Sequence, residues 1–422
     1  MATKKKSKAA APRKKTKKAT KPAAKYQPPD IAAPSICLNC AKHPSLKKFI
    51  EVNGAKGNRC GICHRTDQIA SDPAKFDALS NLVKSLVRLY YDEFAYNPHW
   101  GGHDDASSLL CEPNEIVEHE AAPGFPRSQE DSEELRVSLF DIPYPDYDKG
   151  VGIYAGHDRN IGRMALTAIS ATRSLIYSRI EERLQSENYF EVEREFKRYL
   201  SKFGPALGAT IPSGSLFYRA RIGIIKTYVR CHEDNELETM HQPYLGDQIG
   251  APPPRVASAG RLNRVGVSFL YLATDKLTAA AEVRPHPGHK LSIVGFTSKK
   301  DIRVADFGAI DIGDFSSSDA RLDLYHLGLT IGHDIGMPIT PEDRHRYSLA
   351  QLLADILRQQ GYEGVRFPSS VAPGANLCVF KPALFVVQPD TATVLEVAGL
   401  KYRTKKLKHL VEPTNIDFPS KG

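Results

Sequence analysis

The sequence lacks the segments that insert a chain into a membrane or direct it out of the cell. No apolar run approaches the roughly 18 residues of a membrane span, and the lysine-rich start is not followed by the apolar stretch of a signal peptide. We therefore expect a cytoplasmic protein that does not contact membranes. Because thiols stay reduced in that compartment, the seven cysteines are expected to bind metal or remain free rather than form disulfides.

Acidic and aromatic residues are absent from the first 25 residues, which contain 11 Lys or Arg residues. Removing these 11 from the 57 basic residues of the chain leaves 46 against 49 acidic residues, so the net charge of +8 resides in the tail. A segment of this composition cannot bury enough apolar surface to offset its ordering entropy, and residues 1–30 are predicted to be disordered. The tail either contacts nucleic-acid phosphates non-specifically or only increases solubility.

Three common signatures of nucleotide or metal chemistry are also missing: the GxxxxGK[ST] loop, the GxGxxG turn and the HExxH motif. The length of 422 residues predicts two or three domains, and 41% hydrophobic and 25% charged residues are ordinary for a globular protein. Any specific chemistry must therefore be sought in local groups of residues.

Four cysteines form two CxxC pairs that are 19 residues apart: Cys37, Cys40, Cys60 and Cys63. This spacing is typical of a zinc ribbon or zinc knuckle. His43 and His64 lie close enough in the sequence to substitute as ligands. Because four cysteines leave no open coordination position on a tetrahedral zinc ion, we expect the metal to be structural rather than catalytic.

The segment after the cysteines is predicted to be helical. Asp72 suits an N-cap, Pro73 suits the first helical position, and apolar residues recur at helical spacing as far as Tyr90. Residues 97–150 are rich in Gly, Pro, Asp and His, which predicts a long irregular connection. Residues 158–204 have a helical period and are predicted to form one or two further helices.

A change of pattern near residue 205 marks a predicted domain boundary. Before it, residues 31–205 are predicted to form a mainly helical N-terminal domain with a zinc knuckle at about 35–66. After it, residues 206–390 contain short strand-like runs separated by turns, which indicates a mixed α/β domain. Residues 391–422 are expected to be a basic C-terminal extension, and the predicted fold class is α+β.

In the predicted mixed domain, charged or hydroxyl residues accompany three strand-like runs. "SLFYRARIG" carries Arg219 and Arg221 on a strand, and "GRLNRVGVSFLYLATDKLTAAAEVRP" places Arg261 before a strand and Glu282 on a helix. "YSLAQLLADILRQQGYEGVRFPSS" is a helix, a stop at Gly361 and a strand that leads to two serines. Taken one at a time, each charge has a structural explanation, such as an exposed helix residue or a surface ion pair.

Taken together, these basic groups, single carboxylate, aromatic ring and hydroxyls fit a pocket for a nucleotide that contains pyrophosphate. Arginine forks match phosphate oxygens in a bidentate manner, and an aromatic face stacks on a base. A carboxylate binds ribose hydroxyls or stabilises the positive charge of an oxocarbenium-like transition state.

These three motifs resemble the RES domain, a bacterial domain named for an Arg, a Glu and a Ser, over roughly residues 213–386. The resemblance implies a fold like that of ADP-ribosyltransferase toxins and a role in toxin–antitoxin systems that destroy NAD. By the same resemblance, the implied catalytic residues are Arg219, Arg261, Tyr271, Glu282 and Ser369. The implied substrate-binding residues are Arg221, Asn263, Ser370 and Asn376, with Ser370 as the alternative to Ser369 for the family serine.

The resemblance implies cleavage of the nicotinamide–ribose bond of NAD, which is the substrate rather than a resident cofactor. Nicotinamide is already cationic in NAD, so that no strong general acid is needed. Inorganic phosphate as the acceptor gives NAD phosphorolysis, water gives hydrolysis, and a protein or nucleic acid gives ADP-ribosyl transfer. Relatives of this kind favour phosphate or water, and they imply an antitoxin protein as a partner.

The front half resembles an N-terminal domain that accompanies some RES domains and is grouped with the HEPN class. HEPN ribonucleases use an Arg and a His on one helix, and the match here is Arg59 and His64. Because this pair flanks Cys60 and Cys63, we do not expect it to be catalytic.

Two other classes of function are compatible with the same residues. One is a non-catalytic nucleic-acid-binding protein that uses the basic tail and the zinc knuckle. The other is a sensor that binds NAD without consuming it. Turnover of NAD by the pure protein separates the enzyme from both.

Overall fold

A computed structural model of the chain describes residues 35–96, 109–111, 114, 116–117, 166–233, 236–337, 347–401, 404 and 406. The predicted tail over 1–30 and most of the predicted irregular connection over 97–150 lie outside the described residues. The same holds for most of the predicted C-terminal extension. None of the helices in the described ranges is long and apolar enough to cross a membrane.

The front of the described chain combines short helices with one small hairpin. The elements are α1 (Pro44–Asn53), β1 (Gly54–Lys56), β2 (Ile69–Ser71), α2 (Phe76–Tyr90) and the one-turn α3 (Glu93–Tyr96). Asp72 accepts a hydrogen bond from the backbone N–H of Ala74 (2.9 Å) at the start of a 3₁₀ turn, Pro73–Lys75, that leads directly into α2. The predicted helix and its cap are thus confirmed, although the first turn is 3₁₀.

Two helices occupy the second region that was predicted to be helical. They are α4 (Leu175–Ser186) and α5 (Tyr189–Ser201). Asn188 separates them and caps α5, because its side chain accepts a hydrogen bond from the backbone N–H of Phe190 (3.0 Å).

Past residue 207 the chain alternates between strands and helices in the described ranges. The strands are β3 (Gly208–Ile211), β4 (Leu216–Ile222), β5 (Lys226–Cys231), β6 (Leu237–Gln242), β7 (Leu270–Ala273), β8 (Lys290–Ser298), β9 (Ile302–Asp306), β10 (Gly364–Pro368), β11 (Ala375–Val379) and β12 (Phe385–Glu396). The helices are α6 (Lys276–Glu282), α7 (Asp319–Gly336) and α8 (Tyr347–Gln359). This arrangement confirms the predicted mixed α/β character of the second half.

One mixed sheet of eight strands organises this region, in the order β12-β8-β4-β7-β11-β10-β9-β3. Its neighbouring strands are antiparallel except for β9 and β10, which are parallel. Parallel neighbours require a crossover connection, and helices α7 and α8 lie in the chain between these two strands.

Strands β5 and β6 form a separate hairpin that the sequence analysis did not predict. Every residue of β5 is exposed, and so are most of those in β6. A ribbon of this kind buries no face, so that its sequence lacks the alternation of apolar and polar residues that identifies a strand.

A single hydrophobic core connects the front of the chain to helices α7 and α8. Ile36 and Leu86 from the front belong to the same buried cluster as Phe203, Leu327 and Leu353. The core therefore continues across residue 205, and the domain boundary there stays a prediction. At the other end, β12 continues past the predicted domain end at 390.

Candidate active site

Glu282, the last residue of helix α6, brings three distant chain segments together at its carboxylate. Oε1 accepts hydrogen bonds from the Ser369 hydroxyl (2.7 Å) and from the side-chain amide of Asn376 (2.6 Å). Oε2 pairs with Nη2 of Arg261 at 3.2 Å. The ion pair is mostly buried, since the Arg261 and Glu282 side chains are only 15% and 18% exposed. These contacts fix the orientation of the carboxylate.

The short helix that carries Glu282 is anchored firmly at its start. Asp275 caps it by accepting a hydrogen bond from the backbone N–H of Thr278 (2.8 Å). Gly374 packs so closely on this cap that a Cβ there would lie 2.2 Å from Asp275 Oδ2. A carboxylate at a helix C-terminus faces the negative end of the helix dipole, and the positive charge of Arg261 offsets that unfavourable placement.

Arg261 also binds the C-terminal end of helix α7. Its Nη1 donates to the backbone carbonyls of Ile335 (3.1 Å) and Gly336 (3.0 Å). The Ser370 hydroxyl donates to the same Gly336 carbonyl (2.7 Å). The last carbonyls of a helix have no partner within it, and here two candidate site residues supply partners for them.

Tyr271 and Asn263 form a second group beside the first. The Tyr271 hydroxyl donates to Asn263 Oδ1 (2.8 Å) and accepts from the backbone N–H of Leu262 (3.1 Å). The Asn263 amide in turn donates to three backbone carbonyls of its own loop, at 2.9–3.2 Å. Burial, reinforced by the neighbouring Cys378 thiol, raises the pKa of Tyr271 well above its usual value, so that the phenol stays neutral.

Arg219 reaches this second group from strand β4. Its Nη1 donates to the backbone carbonyl of Tyr271 (3.0 Å). Burial, together with the positive charge of Arg221, lowers the pKa of the Arg219 guanidinium. No carboxylate of the described residues forms an ion pair with Arg219. A partly buried cation without an anionic partner is a suitable contact for an anionic ligand.

The register of the sheet joins the two groups. Asn376 pairs with Ala273, and Cys378 pairs with Tyr271, across strands β11 and β7. Residues two apart on a strand point to the same side, so that the side chains of Tyr271 and Asn376 lie on one face of the sheet.

Arg221 lies apart from the groups around Glu282 and Tyr271. It is exposed, its guanidinium donates to the carbonyl of Gln248, and it stacks 4.7 Å from the centre of the Tyr244 ring. None of its contacts with described residues joins it to Glu282.

Residues 229–397 match the family model of the RES domain. The match covers 169 of the 422 residues, and this segment is similar to the RES domain. Seven of the nine predicted site residues of this region lie inside the match, whereas Arg219 and Arg221 precede it. The resemblance seen in the sequence, over roughly 213–386, thus starts before the matched segment and includes strand β4.

Among solved structures, the chain is similar to one described as the M. tuberculosis MbcT-MbcA toxin-antitoxin complex. The sequence identity is 14%, the match covers 48% of this chain and 92% of that chain, and the TM-score is 0.26. No curated protein matches the chain.

Sequence reasoning missed three groups that support the RES site. Two are the carbonyls of Ile335 and Gly336, which hold Arg261. The third is Gln351 of α8, whose side-chain amide donates to the carbonyls of Gly260 and Asn263, both at 3.1 Å. Gly336 followed by a proline at position 338 is a helix stop signal, which predicts where the helix ends. It does not predict which side chain binds the last carbonyls, because every residue type has the same backbone carbonyl.

The four predicted cysteine ligands lie together at the front of the chain, outside the RES match. Their sulfur atoms are all within 4.8 Å of one another, and all four residues are buried. The sulfurs of Cys37 and Cys63 are 3.7 Å apart. This distance is close to the separation of about 3.8 Å expected for two sulfurs on a tetrahedral zinc ion with Zn–S bonds of about 2.3 Å. Two backbone N–H groups point at the Cys60 sulfur, each at 3.4 Å. The donor set and its spacing therefore fit a zinc ion.

The two histidines considered as substitute ligands stand outside this cluster. His43 is instead the N-cap of α1, since its Nδ1 accepts a hydrogen bond from the backbone N–H of Ser45 (3.2 Å). His64 is in the turn after Cys63, with a left-handed backbone (φ 58°), and not on a helix with Arg59.

Proposed function

We propose that the RES domain cleaves the nicotinamide–ribose bond of NAD, with phosphate or water as the acceptor. The observation that carries this proposal is the convergence of Arg261, Ser369 and Asn376 on the Glu282 carboxylate. Four separated parts of the chain supply these residues, and their meeting point is a single oriented anion. An oxocarbenium-like transition state requires an anion of this kind beside the sugar.

Glu282 stabilises the developing positive charge on the ribose. Its described contacts use three acceptor positions of the carboxylate, and an ionised carboxylate has about four. The remaining position accepts a hydrogen bond from a ribose hydroxyl. Ser369 and Asn376 hold Oε1 in place, and Ser369, rather than Ser370, is the family serine that touches the carboxylate.

The two arginines bind the pyrophosphate. Arg219 supplies a positive charge that lacks a carboxylate partner within the described chain, and Arg261 retains its Nε–H and one N–H of Nη2 beyond the contacts already given. Arg221 extends the positive surface towards solvent. Tyr271 packs on the nicotinamide end. Asn263 holds its own loop in place, and Ser370 binds the C-terminal end of α7, so that both support the side of the NAD site.

The bond change is balanced without a general acid. The electron pair of the C1″–N bond, on the ribose that bears nicotinamide, moves to the nicotinamide nitrogen, whose positive charge is thereby neutralised, and neutral nicotinamide leaves. Attack of water on C1″ then releases one proton and gives ADP-ribose, whereas attack of inorganic phosphate gives ADP-ribose 1″-phosphate. An antitoxin partner and a nucleic-acid contact by the basic tail stay predictions.

For the front of the chain, we propose a structural zinc ion held by Cys37, Cys40, Cys60 and Cys63. With four thiolates the ion has no open position for substrate, and it would stabilise the fold of the segment before α2. It takes no part in the cleavage of NAD.

The test is NAD consumption by the purified protein, with and without added phosphate, with products identified by mass. Glu282→Gln keeps the shape of the side chain but removes its charge, and should lower turnover by at least about 10²-fold. Glu51→Gln, on the exposed side of α1, is the matched control and should behave as the wild type. Unchanged NAD with the folded wild-type protein, free of any antitoxin, would refute the proposal.

A further inference from the structure

A short segment just before helix α4 contacts one face of helix α7 at three successive turns. The backbone carbonyl of Thr172 accepts from His326 Nε2 (2.9 Å), and the backbone N–H of Ser174 donates to Thr330 Oγ1 (2.9 Å). Between them, the Arg173 guanidinium pairs with Asp334 of α7 and, at 3.0 Å, with Glu181 of α4. We call residues 172–174 the clamp segment.

The three contacted positions on α7 are four residues apart, so that they form one stripe along the helix. The contacts of the clamp segment cover this stripe from His326 to Asp334. The contact nearest the C-terminal end of α7, at Asp334, lies directly before the two residues whose carbonyls hold Arg261. Ser174 and Thr330 are both buried, at 2% and 5% exposure, and their hydrogen bond is therefore shielded from water.

The end of α7 is in direct contact with both sides of the candidate site. On one side it holds Arg261 through the carbonyls of Ile335 and Gly336. On the other side Gly336 packs against strand β10 so closely that a Cβ there would lie 2.7 Å from the Pro368 carbonyl oxygen. Ser369 and Ser370 follow Pro368 in the chain. A shift of the helix end would therefore act first on Arg261 and Ser370, which both bind the Gly336 carbonyl.

The clamp segment is itself fixed to the front of the chain. Glu93 and Leu166 exchange two hydrogen bonds, from Glu93 N to the Leu166 carbonyl (2.9 Å) and from Leu166 N to the Glu93 carboxylate (2.6 Å). Asp92 accepts from the backbone N–H of Ala168 (2.5 Å). Leu166 and Ala168, which precede the clamp segment, are thus tied to the start of α3.

We propose that Arg173 is a positioning residue for the NAD site, acting through Asp334 and the C-terminal end of α7 on Arg261. The inference rests on the proposed function for its kinetic consequence. It gives the front of the chain a specific role, because the clamp segment, anchored to α3, fixes the C-terminal end of α7. A RES domain alone would lack this support. Because Arg261 binds pyrophosphate in the proposed function, the defect should appear in substrate binding more than in bond cleavage.

The experiment compares Arg173→Ala with Arg173→Lys, which keeps a positive charge beside both Asp334 and Glu181. Arg173→Ala should raise KM for NAD by about five- to tenfold and change kcat by less than about twofold, since the contacts of Glu282 with Ser369 and Asn376 remain. Arg173→Lys should retain most of the affinity, and Glu181→Gln, which removes only the other ion pair of Arg173, should behave as the wild type. Arg183→Ala is the matched control, because Arg183 pairs with Glu187, directly after α4, and with Glu195 of α5, and not with α7.

Amide hydrogen exchange of the same proteins provides a readout that does not depend on turnover. Arg173→Ala, but not Arg183→Ala, should speed exchange in peptides that cover residues 333–337 and 259–263. If Arg173→Ala speeds exchange there but no protein, including the wild type, turns over NAD, the positioning role would be supported and the proposed function would be refuted. An Arg173→Ala protein that matches Arg183→Ala both in KM and in exchange at the α7 end would overturn the positioning role.

Discussion

The carboxylate of Glu282 and the side-chain amide of Asn376 lie 2.6 Å apart, although 94 residues separate them in the sequence. One comes from the end of helix α6 and the other from strand β11, so that their distance depends on the packing of the helix on the sheet. Asn376 is buried, at 7% exposure, and its amide has little room to turn away from Glu282.

Replacing Asn376 with Asp should abolish most of the activity. The change substitutes an acceptor for a donor and places a second negative charge against Glu282, where like charges repel and the shared site favours a protonated carboxyl. We expect a loss in NAD turnover on the order of 10²-fold, with part of the activity restored at lower pH. An Asn376→Asp protein with wild-type turnover at neutral pH would show that Asn376 does not act on Glu282.

Gly260 should tolerate no side chain. A Cβ at this position would lie 2.3 Å from Asn263 Oδ1 and 3.0 Å from the Tyr271 hydroxyl, so that Gly260→Ala must break the hydrogen bond between those two residues. We expect a loss of about 1–3 kcal/mol in the free energy of unfolding, measured by urea denaturation, together with a higher KM for NAD. Gly399→Ala is the control, because a Cβ there meets nothing within 4 Å, and equal effects of the two changes would contradict this account.

His326 should make the stability depend on pH. Burial lowers the pKa of His326, an effect that its hydrogen bond with the Thr172 carbonyl partly opposes. The unfolded chain therefore binds a proton more readily than the folded chain, and stability falls as the pH drops below about 6.5. His326→Gln keeps an N–H donor but cannot titrate, and its unfolding free energy should fall less between pH 7.5 and 5.5. Parallel losses in the two proteins would exclude His326 as a source of the dependence.

The cysteine cluster should bind one zinc ion in each chain. Cys60→Ser should lower the zinc content measured by elemental analysis and reduce the melting temperature, because metal binding to the four thiolates contributes to the folding free energy. Cys231→Ser removes an exposed cysteine that lies outside the cluster and should leave both quantities unchanged. Full zinc content in Cys60→Ser would contradict the proposed ligand set.

The sequence predicted those parts of the fold whose signals are local. The cap at Asp72, the strand that contains Arg219 and the helix stop at Gly361, where φ is 82°, all depend on residues close together in the chain. The strand predicted over "VSFLYLA" is shorter than expected, since only Leu270–Ala273 pairs with neighbours. Apolar residues fill a buried loop as readily as a strand, and their pattern does not separate the two.

The grouping of the site residues came from a resemblance, because no local pattern states which distant segments meet. Arg261 and Arg264 illustrate this point, since they are three residues apart in one loop. Arg261 binds Glu282, whereas Arg264 pairs with Asp355 at 2.7 Å. Neither the residue type nor the spacing distinguishes an arginine of the site from one in a surface ion pair.

Strand β11 is made late in synthesis, yet it occupies the interior of the sheet. On one side of it are β12, β8, β4 and β7, and on the other side are β10, β9 and β3. Until β11 joins the sheet, no hydrogen bonds of this sheet connect the two groups of strands. The hydrogen bond between Asn376 and Glu282 is also missing until then. Closure of the sheet and completion of the candidate site are therefore the same event, and a nascent chain that still lacks this strand has no assembled site.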